Sequence, residues 1–228
     1  MIDLYFWTTP NGYKATIMLA EVDLEYRLIP TDITAGDQFK PEFLQISPNN
    51  KIPAIVDHDG FGGKPYSVFE SGAILMYLAE KTGRLLPKDP GPRMTVIQWL
   101  MFQMGSMGPM LGQAHHFRKY APDKIPYAID RYTNEASRLY AVIDKQLQEH
   151  EFLADEYSIA DIATFTWVRP YRWQGQSLDD FPSLKRWYES IKARPAVQAG
   201  LAVMQETKKW EAKPGTASWS NMFNAKHR

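Results

Sequence analysis

The chain of 228 residues contains no cysteine. This absence excludes a disulfide framework, a zinc site with thiolate ligands and a nucleophilic thiol supplied by the protein itself. Excess charge is absent too, since 26 lysines and arginines balance 26 aspartates and glutamates. A net charge of zero provides no field that attracts nucleic acid or an anionic membrane, so we expect neither as a partner.

Long apolar runs are also missing. No stretch of 18 apolar residues occurs, so we expect no membrane-spanning helix. The first residues, MIDLYFW, lack the basic segment and apolar core of a signal peptide. Hydrophobic residues make up 44% of the chain, which is enough for a sizeable core. These features predict a soluble cytoplasmic protein.

The first third of the chain alternates between strand and helix signals. The sequence DGFGG at 59–63 marks the turn of a hairpin. The resulting order, β-α-β-(loop or helix)-β-β-α, indicates an α/β unit with a mixed sheet. Strands are predicted at 2–7, 26–29, 54–57 and 66–69, and helices at 10–21 and 70–81.

Strand signals nearly vanish after a proline-rich linker, LLPKDPGPR at 85–93. An all-α domain is therefore predicted, in which Ser158 and Asp161 cap one helix start. The tail from about Lys213 has few apolar residues, so we expect it to be disordered or to lie along the surface. The predicted helices span about 92–118, 125–149, 158–170, 183–193 and 195–210.

The first candidate for chemistry is the start of the first helix. Thr9 fits the N-cap and Pro10 the first helical position, so the positive helix end lies at 9–11. The Thr9 hydroxyl and the Asn11 amide can donate hydrogen bonds to an anion but are poor bases and nucleophiles. The pattern suits stabilisation of a thiolate, oxyanion or phosphate from another molecule. A plain capped helix is the alternative interpretation.

A second candidate is SPNNKIPAIV at 47–56. A proline at the entry of a strand is a candidate for a cis peptide bond, here between Ile52 and Pro53. A cis bond would turn the backbone N–H and C=O of Ile52 outward, where they would pair with an extended peptide ligand. An ordinary turn is the alternative.

A third candidate is FESGA at 69–73, where a strand ends and a helix begins. The free N–H groups of a helix start hold carboxylates, and the Ser71 hydroxyl would add a donor. Glu70 beside it would hold an ammonium. The two together suit an amino-acid head group, although capping alone also explains Ser71.

Two further patterns indicate structural roles and not functional sites. His115 and His116 are adjacent, so on a helix they point about 100° apart and do not share a metal ion easily; we expect no metal. Methionines recur at every third position from Met101 to Met110 and drift around the helix. They favour core packing over an apolar pocket.

Taken together, these segments resemble the glutathione transferase superfamily. IPAIVD and FESGAILMYLAEK are similar to its glutathione-binding half. TPNGYK, AGDQFKPEF, ISPNNKIPAIVDHDG, GPMLGQAHHF and IPYAIDRY resemble its bacterial nu class. The resemblance implies a thioredoxin-like N-terminal domain over 1–87, an all-α C-terminal domain over 92–228, and a homodimer.

The resemblance also implies a glutathione-dependent disulfide reductase that holds two glutathiones, or glutathione disulfide, in one cleft. Other classes place Tyr, Ser or Cys at the sulfur, so this chain departs from the usual conjugating enzymes. The implied roles are Thr9 and Asn11 at the sulfur, Gln38 near the glycine carboxylate, Lys51, Ile52 and Pro53 along the tripeptide backbone, Glu70 and Ser71 at the γ-glutamyl group, and Arg131 reaching towards the ligands.

Two alternative functions remain open. One is conjugation of glutathione to electrophiles, or reduction of peroxides, with an apolar pocket around Met107, Phe117 and Trp167. The other is a glutathione-binding regulator without catalysis. We favour disulfide reduction, because a chain without cysteine carries out thiol–disulfide exchange only with thiols that glutathione supplies.

Overall fold

The structure, a computed structural model, describes residues 1–206 and 213–223. It divides into two compact units. One contains residues 1–78 and the described residues from 199 onward, and the other contains residues 79–198.

The first unit is built on a four-stranded sheet in the order β2-β1-β3-β4. β2 runs parallel to β1, whereas β3 and β4 are antiparallel to their neighbours. This confirms the predicted mixed sheet and its thioredoxin-like arrangement. The elements are β1 (Ile2–Phe6), α1 (Pro10–Glu21), β2 (Tyr26–Pro30), α2 (Pro41–Leu44), β3 (Ala54–Asp57), β4 (Tyr66–Phe69) and α3 (Ser71–Thr82), with 3₁₀ turns at Asp37–Phe39 and Phe61–Gly63.

The core of this unit lies between the sheet and its two long helices. Leu4 and Phe6 of β1 are fully buried, as their alternation with Asp3 and Tyr5 predicts. α1 and α3 bury their apolar residues in the same core; these include Ile17, Met18, Leu19, Ile74, Leu75 and Leu78. The loops at the edge of the sheet therefore project from a packed core.

The remainder is helical, which confirms the predicted change of class. Its helices are α4 (Pro90–Phe102), α5 (Gly108–His115), α6 (Pro126–Glu149), α7 (Ile159–Val168), α8 (Pro182–Lys192) and α9 (Pro195–Ala202), with 3₁₀ turns at Tyr171–Gln174 and Leu178–Asp180. Within the described residues, no helix combines the length and apolar character that a bilayer crossing needs. Ser158 and Asp161 form the predicted capping box at the start of α7.

The helical stretch predicted at about 92–118 is present, since the backbone is helical from Pro90 to Tyr120, but it is not a regular α-helix throughout. α4 and α5 are separated by a π-helical turn at Gln103–Met107, and a second π turn follows at His116–Tyr120. Pro109 provides a physical reason, because it has no N–H and its ring collides with the carbonyl four residues earlier. The pattern of backbone hydrogen bonds therefore changes from α-helical to π-helical before this proline, which stands in the first turn of α5.

The last predicted helix ends earlier than expected. α9 ends at Ala202 rather than near 210, and residues 207–212 lie outside the described part of the chain. The tail contains a further short helix, α10 (Ala217–Phe223). The Thr216 hydroxyl accepts a hydrogen bond from the Trp219 N–H at 3.2 Å, which caps its first turn.

Candidate functional site

The candidate site lies at one edge of the sheet. Tyr5 is paired with Ala54, and Ala54 is paired with Phe69. Because β3 is antiparallel to both neighbours, this edge holds the end of β1, the start of β3 and the end of β4. The start of α1, the 47–53 loop and the start of α3 therefore meet there.

Thr9 and Asn11 stand at the start of α1. Thr9 is the N-cap, and its Oγ1 accepts a hydrogen bond from the Gly12 N–H at 3.0 Å. Within the described residues, the Thr9 hydroxyl donates to no acceptor, so its hydrogen is available to a ligand. Both side chains are partly exposed beside the positive end of a 12-residue helix. This position suits an anion.

Gly12 fixes how closely α1 approaches the strand before it. A Cβ at this position would lie 2.2 Å from the Trp7 carbonyl oxygen, far inside contact distance. Glycine is thus the residue that permits this close approach. The approach holds Thr9 and Asn11 directly beyond the end of β1.

The peptide bond between Ile52 and Pro53 is cis, which confirms the sequence prediction. Within the described chain, the backbone N–H and C=O of Ile52 have no hydrogen-bond partner. The Ser47 hydroxyl donates to the Lys51 carbonyl at 2.9 Å and holds the loop in place, while the Lys51 side chain is exposed. The free backbone pair of Ile52 can therefore accept an extended peptide.

Glu70 connects β4 to α3 in a left-handed conformation, with φ at +69°. Such a backbone costs about 1–3 kcal/mol for a residue other than glycine and clusters at functional positions. Its exposed carboxylate accepts a hydrogen bond from the Asn49 side chain at 3.3 Å. Ser71 follows as the first residue of α3 and is 5% exposed.

Lys14 is a site residue that the sequence reasoning missed. It is 1% exposed, and its Nζ donates to the Ser71 hydroxyl oxygen at 3.2 Å. Burial lowers the pKa of Lys14 to about 7, although the Glu70 carboxylate partly opposes this shift. The available signal was a lysine one turn after Asn11, followed by the apolar side chains of α1.

Gln38 lies in the 3₁₀ turn that follows β2 and is 4% exposed. Its side-chain amide donates to the carbonyl oxygens of Ile33 at 3.2 Å and Asn221 at 3.1 Å. The Asn221 amide in turn donates to the Thr34 carbonyl at 2.9 Å. α10 thus lies on this loop, and both donors of the Gln38 amide are occupied.

The remaining predicted residues belong to the other unit. Arg131 is exposed on α6. The hydrogen bond from Arg138 lowers the pKa of Glu135, and the charge of Arg131 adds to this effect. Met107 is fully buried, and a Cβ on Gly112 would lie 3.3 Å from the Trp167 ring. This close packing favours the core interpretation of Met107. In the described ranges, no three histidine or carboxylate side chains are placed to hold a metal ion.

Comparison with known proteins follows the same division of the chain. The family model for the glutathione S-transferase N-terminal domain matches residues 2–80, and that for the C-terminal domain matches residues 116–202. The chain is 55% identical over 207 residues to the disulfide-bond oxidoreductase YfcG of Escherichia coli K12. That alignment covers 90% of this chain and 96% of the relative.

Two solved structures are similar along nearly their whole length. A glutathione transferase from Pseudomonas putida, with one glutathione disulfide bound per subunit, shares 47% identity at a TM-score of 0.85. The match covers 89% of this chain and 91% of that one. A family member from Pseudomonas fluorescens with two glutathiones bound shares 48% identity at a TM-score of 0.83, over 88% and 92% of the two chains.

Proposed function

Because the chain belongs to the glutathione transferase family, we propose that it is a glutathione-dependent disulfide-bond reductase. It binds two glutathiones, or one glutathione disulfide, at the edge of the sheet. The observation that carries this proposal is the meeting of an anion-binding helix start, a free backbone pair and an amino-acid head-group site in a chain without cysteine.

Each part of the site has a role in holding glutathione. Ile52, preceded by Lys51 and followed by Pro53, pairs with the backbone of the tripeptide. Glu70 holds the γ-glutamyl ammonium, and Ser71 at the start of α3 holds the γ-glutamyl carboxylate. These contacts place the glutathione thiol at the start of α1. Gln38 lies near the glycine carboxylate, and Arg131 reaches towards the bound ligands.

Thr9 and Asn11 stabilise the thiolate of the first glutathione by hydrogen bonds and the helix dipole, which raises its thiolate fraction. The thiolate attacks one sulfur of a small disulfide, forms a mixed disulfide and releases one substrate thiolate. The second glutathione thiolate attacks the glutathione sulfur of the mixed disulfide and releases the other. Two glutathiones are oxidised to glutathione disulfide, and their two thiol protons end on the product thiols.

The test is reduction of 2-hydroxyethyl disulfide by glutathione. Thr9→Ala/Asn11→Ala should lower kcat/KM by at least about 100-fold, because each of the two hydrogen bonds to a charged group contributes about 1.5–3 kcal/mol. Ser190→Ala is the control, since it removes an exposed hydroxyl that donates within α8. Full activity in the double variant would contradict the roles of Thr9 and Asn11.

The same preparation decides between the other functions. Faster turnover with an electrophile or a peroxide than with the disulfide would favour a conjugating or peroxidase enzyme. Glutathione binding without turnover in any thiol assay would favour a regulator.

We further propose that the chain is a cytoplasmic homodimer of the nu class, with domains at 1–87 and 92–228. An exposed aromatic group at one end of the sheet supports a protein interface, because Phe61 and Tyr66 are 68% and 44% exposed with ring centroids 4.9 Å apart. Dependence on reduced glutathione fits a reducing compartment. Sedimentation equilibrium tests the dimer, and cell fractionation tests the location.

A further inference from the structure

Trp7 is a buried tryptophan whose ring nitrogen carries an unpaired donor. The residue directly follows β1 and is 7% exposed. Within the described residues, its indole Nε1–H has no hydrogen-bond partner. A buried indole N–H usually has a partner, because an unpaired buried donor destabilises the fold. The N–H of Trp7 is therefore a candidate donor to a bound molecule.

The surroundings of Trp7 belong to the candidate glutathione site. Its ring is part of an apolar cluster with Phe43 and with Ile52, the residue proposed to pair with the tripeptide backbone. Ile33, on the loop after β2, packs against the same cluster. The Trp7 carbonyl accepts a hydrogen bond from the Thr9 N–H at 2.8 Å, so the residue is also tied to the start of α1.

The order of the strands indicates which part of glutathione reaches this cluster. Along the edge of the sheet the strands follow one another as β4, β3, β1 and β2. Glu70, proposed to hold the γ-glutamyl ammonium, follows β4, and Ile52 lies just before β3. A tripeptide extended from Glu70 across Ile52 therefore brings its glycine to the ends of β1 and β2, which are parallel and end together. Trp7 follows the first of these strands.

The glycine of glutathione ends in a carboxylate, which needs donors. An ionised carboxylate only accepts hydrogen bonds and an indole N–H only donates, so the two groups are complementary. Gln38 lies on the same side, but its amide hydrogens are held by the carbonyl oxygens of Ile33 and Asn221. Its Oε1 is buried and accepts from no group in the described chain. While these bonds hold, Gln38 presents only an acceptor, and Trp7 has the unpaired donor.

We propose that Trp7 is a glutathione-binding residue whose indole Nε1–H donates a hydrogen bond to the glycine carboxylate. The inference rests on the proposed glutathione site and adds to it a residue that favours ligands with this carboxylate over ligands without it. A hydrogen bond from the indole to an ionised acceptor is stronger than one to a neutral acceptor.

Isothermal titration calorimetry of the full chain with two ligands tests the contact. S-methylglutathione carries the glycine carboxylate, whereas γ-glutamyl-S-methylcysteinamide ends at the cysteine in a neutral amide. Trp7→Phe keeps an aromatic ring and removes the N–H. It should bind S-methylglutathione about 10–100-fold more weakly than the wild type, the range of one hydrogen bond to a charged group. The two proteins should bind the truncated ligand within about twofold of each other.

Trp173→Phe is the matched control. Trp173 lies in the other unit and is 51% exposed, so its replacement removes an indole N–H outside the cluster. Both affinities should stay at the wild-type values. A purely structural role of Trp7 would weaken the binding of both ligands alike in Trp7→Phe.

A second measurement follows the indole proton itself. The chain has seven tryptophans, and the indole signal missing from the ¹H–¹⁵N spectrum of Trp7→Phe is that of Trp7. Saturation with S-methylglutathione should move this signal downfield and slow its exchange with solvent. The truncated ligand should do neither. If Trp7→Phe does not fold, sequential assignment of the wild-type spectrum identifies the same signal.

The possible failures are distinguishable. If S-methylglutathione does not bind the wild type, the proposed function itself fails. If it binds the wild type and leaves the Trp7 signal unmoved, the indole has another partner, such as water, and this inference is overturned. Equal affinity of the wild type and Trp7→Phe for S-methylglutathione, or an equal loss for both ligands, also overturns it. Circular dichroism checks that each variant is folded.

Discussion

At the scale of single residues, the buried amine of Lys14 in the candidate site lowers the stability of the folded protein. Its amine is buried in the first unit, where the charged form loses its hydration. Its ordinary pKa of 10.5 falls to about 7 in the folded protein. Between these values the unfolded chain binds more protons than the folded one, so stability from this group rises with pH.

The first prediction concerns the free energy that the folded protein loses by burying the charged amine of Lys14. Lys14→Met should raise the free energy of unfolding on the order of 5 kcal/mol at pH 6.5, because the pKa of Lys14 falls from 10.5 to about 7 and one pKa unit corresponds to about 1.4 kcal/mol. The gain should shrink as the pH rises towards 10, where the wild-type burial cost disappears. Urea unfolding from pH 6.5 to 9.5 measures both, and a gain that grows with pH would contradict the burial of a titrating amine.

The second prediction concerns Gly12. Gly12→Ala should destabilise the protein by roughly 3 kcal/mol, because the new Cβ would lie 2.2 Å from the Trp7 carbonyl oxygen and the backbone must move. Gly91→Ala is the matched control, since Gly91 also stands in the first turn of a helix and has no atom within 4 Å of its Cβ position. Thermal unfolding of the two variants compares them directly, and equal melting temperatures would show that α1 moves without cost.

At the scale of elements, the start of α7 shows one carboxylate holding several segments. Asp161 is fully buried and accepts hydrogen bonds from the N–H groups of Leu153 and Ser158 and from the Trp187 ring. The sequence predicted the capping contact with Ser158. The bonds to Leu153 and Trp187 were not predictable, because they depend on how the helices pack.

The third prediction follows from this arrangement. Asp161→Ala should cost about 3–5 kcal/mol, since it leaves buried donors without an acceptor. Ser177→Ala removes a cap with an exposed hydrogen bond to the Asp179 N–H and should cost less than about 1 kcal/mol. Chemical denaturation measures the two. Similar losses of stability in the two variants would show that the hydrogen bonds from Leu153 and Trp187 to Asp161 contribute little.

α10 gives a prediction about ligand binding. If Gln38 binds the glycine carboxylate, its amide must exchange a protein carbonyl for the ligand, and Asn221 holds one donor. A chain ending at Lys213 should therefore lower the KM for glutathione by about 2–10-fold, the range of one hydrogen bond. Asn221→Ala, which removes the bond to Thr34, should act in the same direction more weakly. A raised KM would mean that the tail supports the site.

Local patterns predicted the elements that carry the site, and packing decided the rest. Thr9, Ile52 and Glu70 stand at element boundaries, where caps and turns leave clear signals in the sequence. Lys14 left a weak signal, because one lysine on an amphipathic helix usually faces solvent. The Gln38 contact with Asn221 joins residues 183 positions apart, which no local pattern encodes.

At the scale of the whole molecule, the absence of cysteine means that the protein supplies no thiol of its own to disulfide exchange. A disulfide reductase with its own thiol forms a mixed disulfide with its substrate and is inactivated when that thiol is alkylated. In the mechanism that we propose for this chain, the protein contributes hydrogen-bond donors and a helix start at the edge of the sheet, while both sulfur nucleophiles belong to glutathione. The polypeptide therefore remains covalently unchanged through the cycle.

The last prediction tests this directly. Treatment with excess N-ethylmaleimide, followed by its complete removal, should leave the disulfide reductase activity with fresh glutathione within roughly 10% of the untreated value, because no thiol is present to alkylate. Intact-protein mass spectrometry during turnover should show no glutathione adduct of the chain. A thiol-dependent reductase treated in parallel is the positive control and should lose activity. A covalent glutathione adduct on the chain, or inactivation that tracks the dose of reagent, would place a nucleophile on the protein and contradict the mechanism.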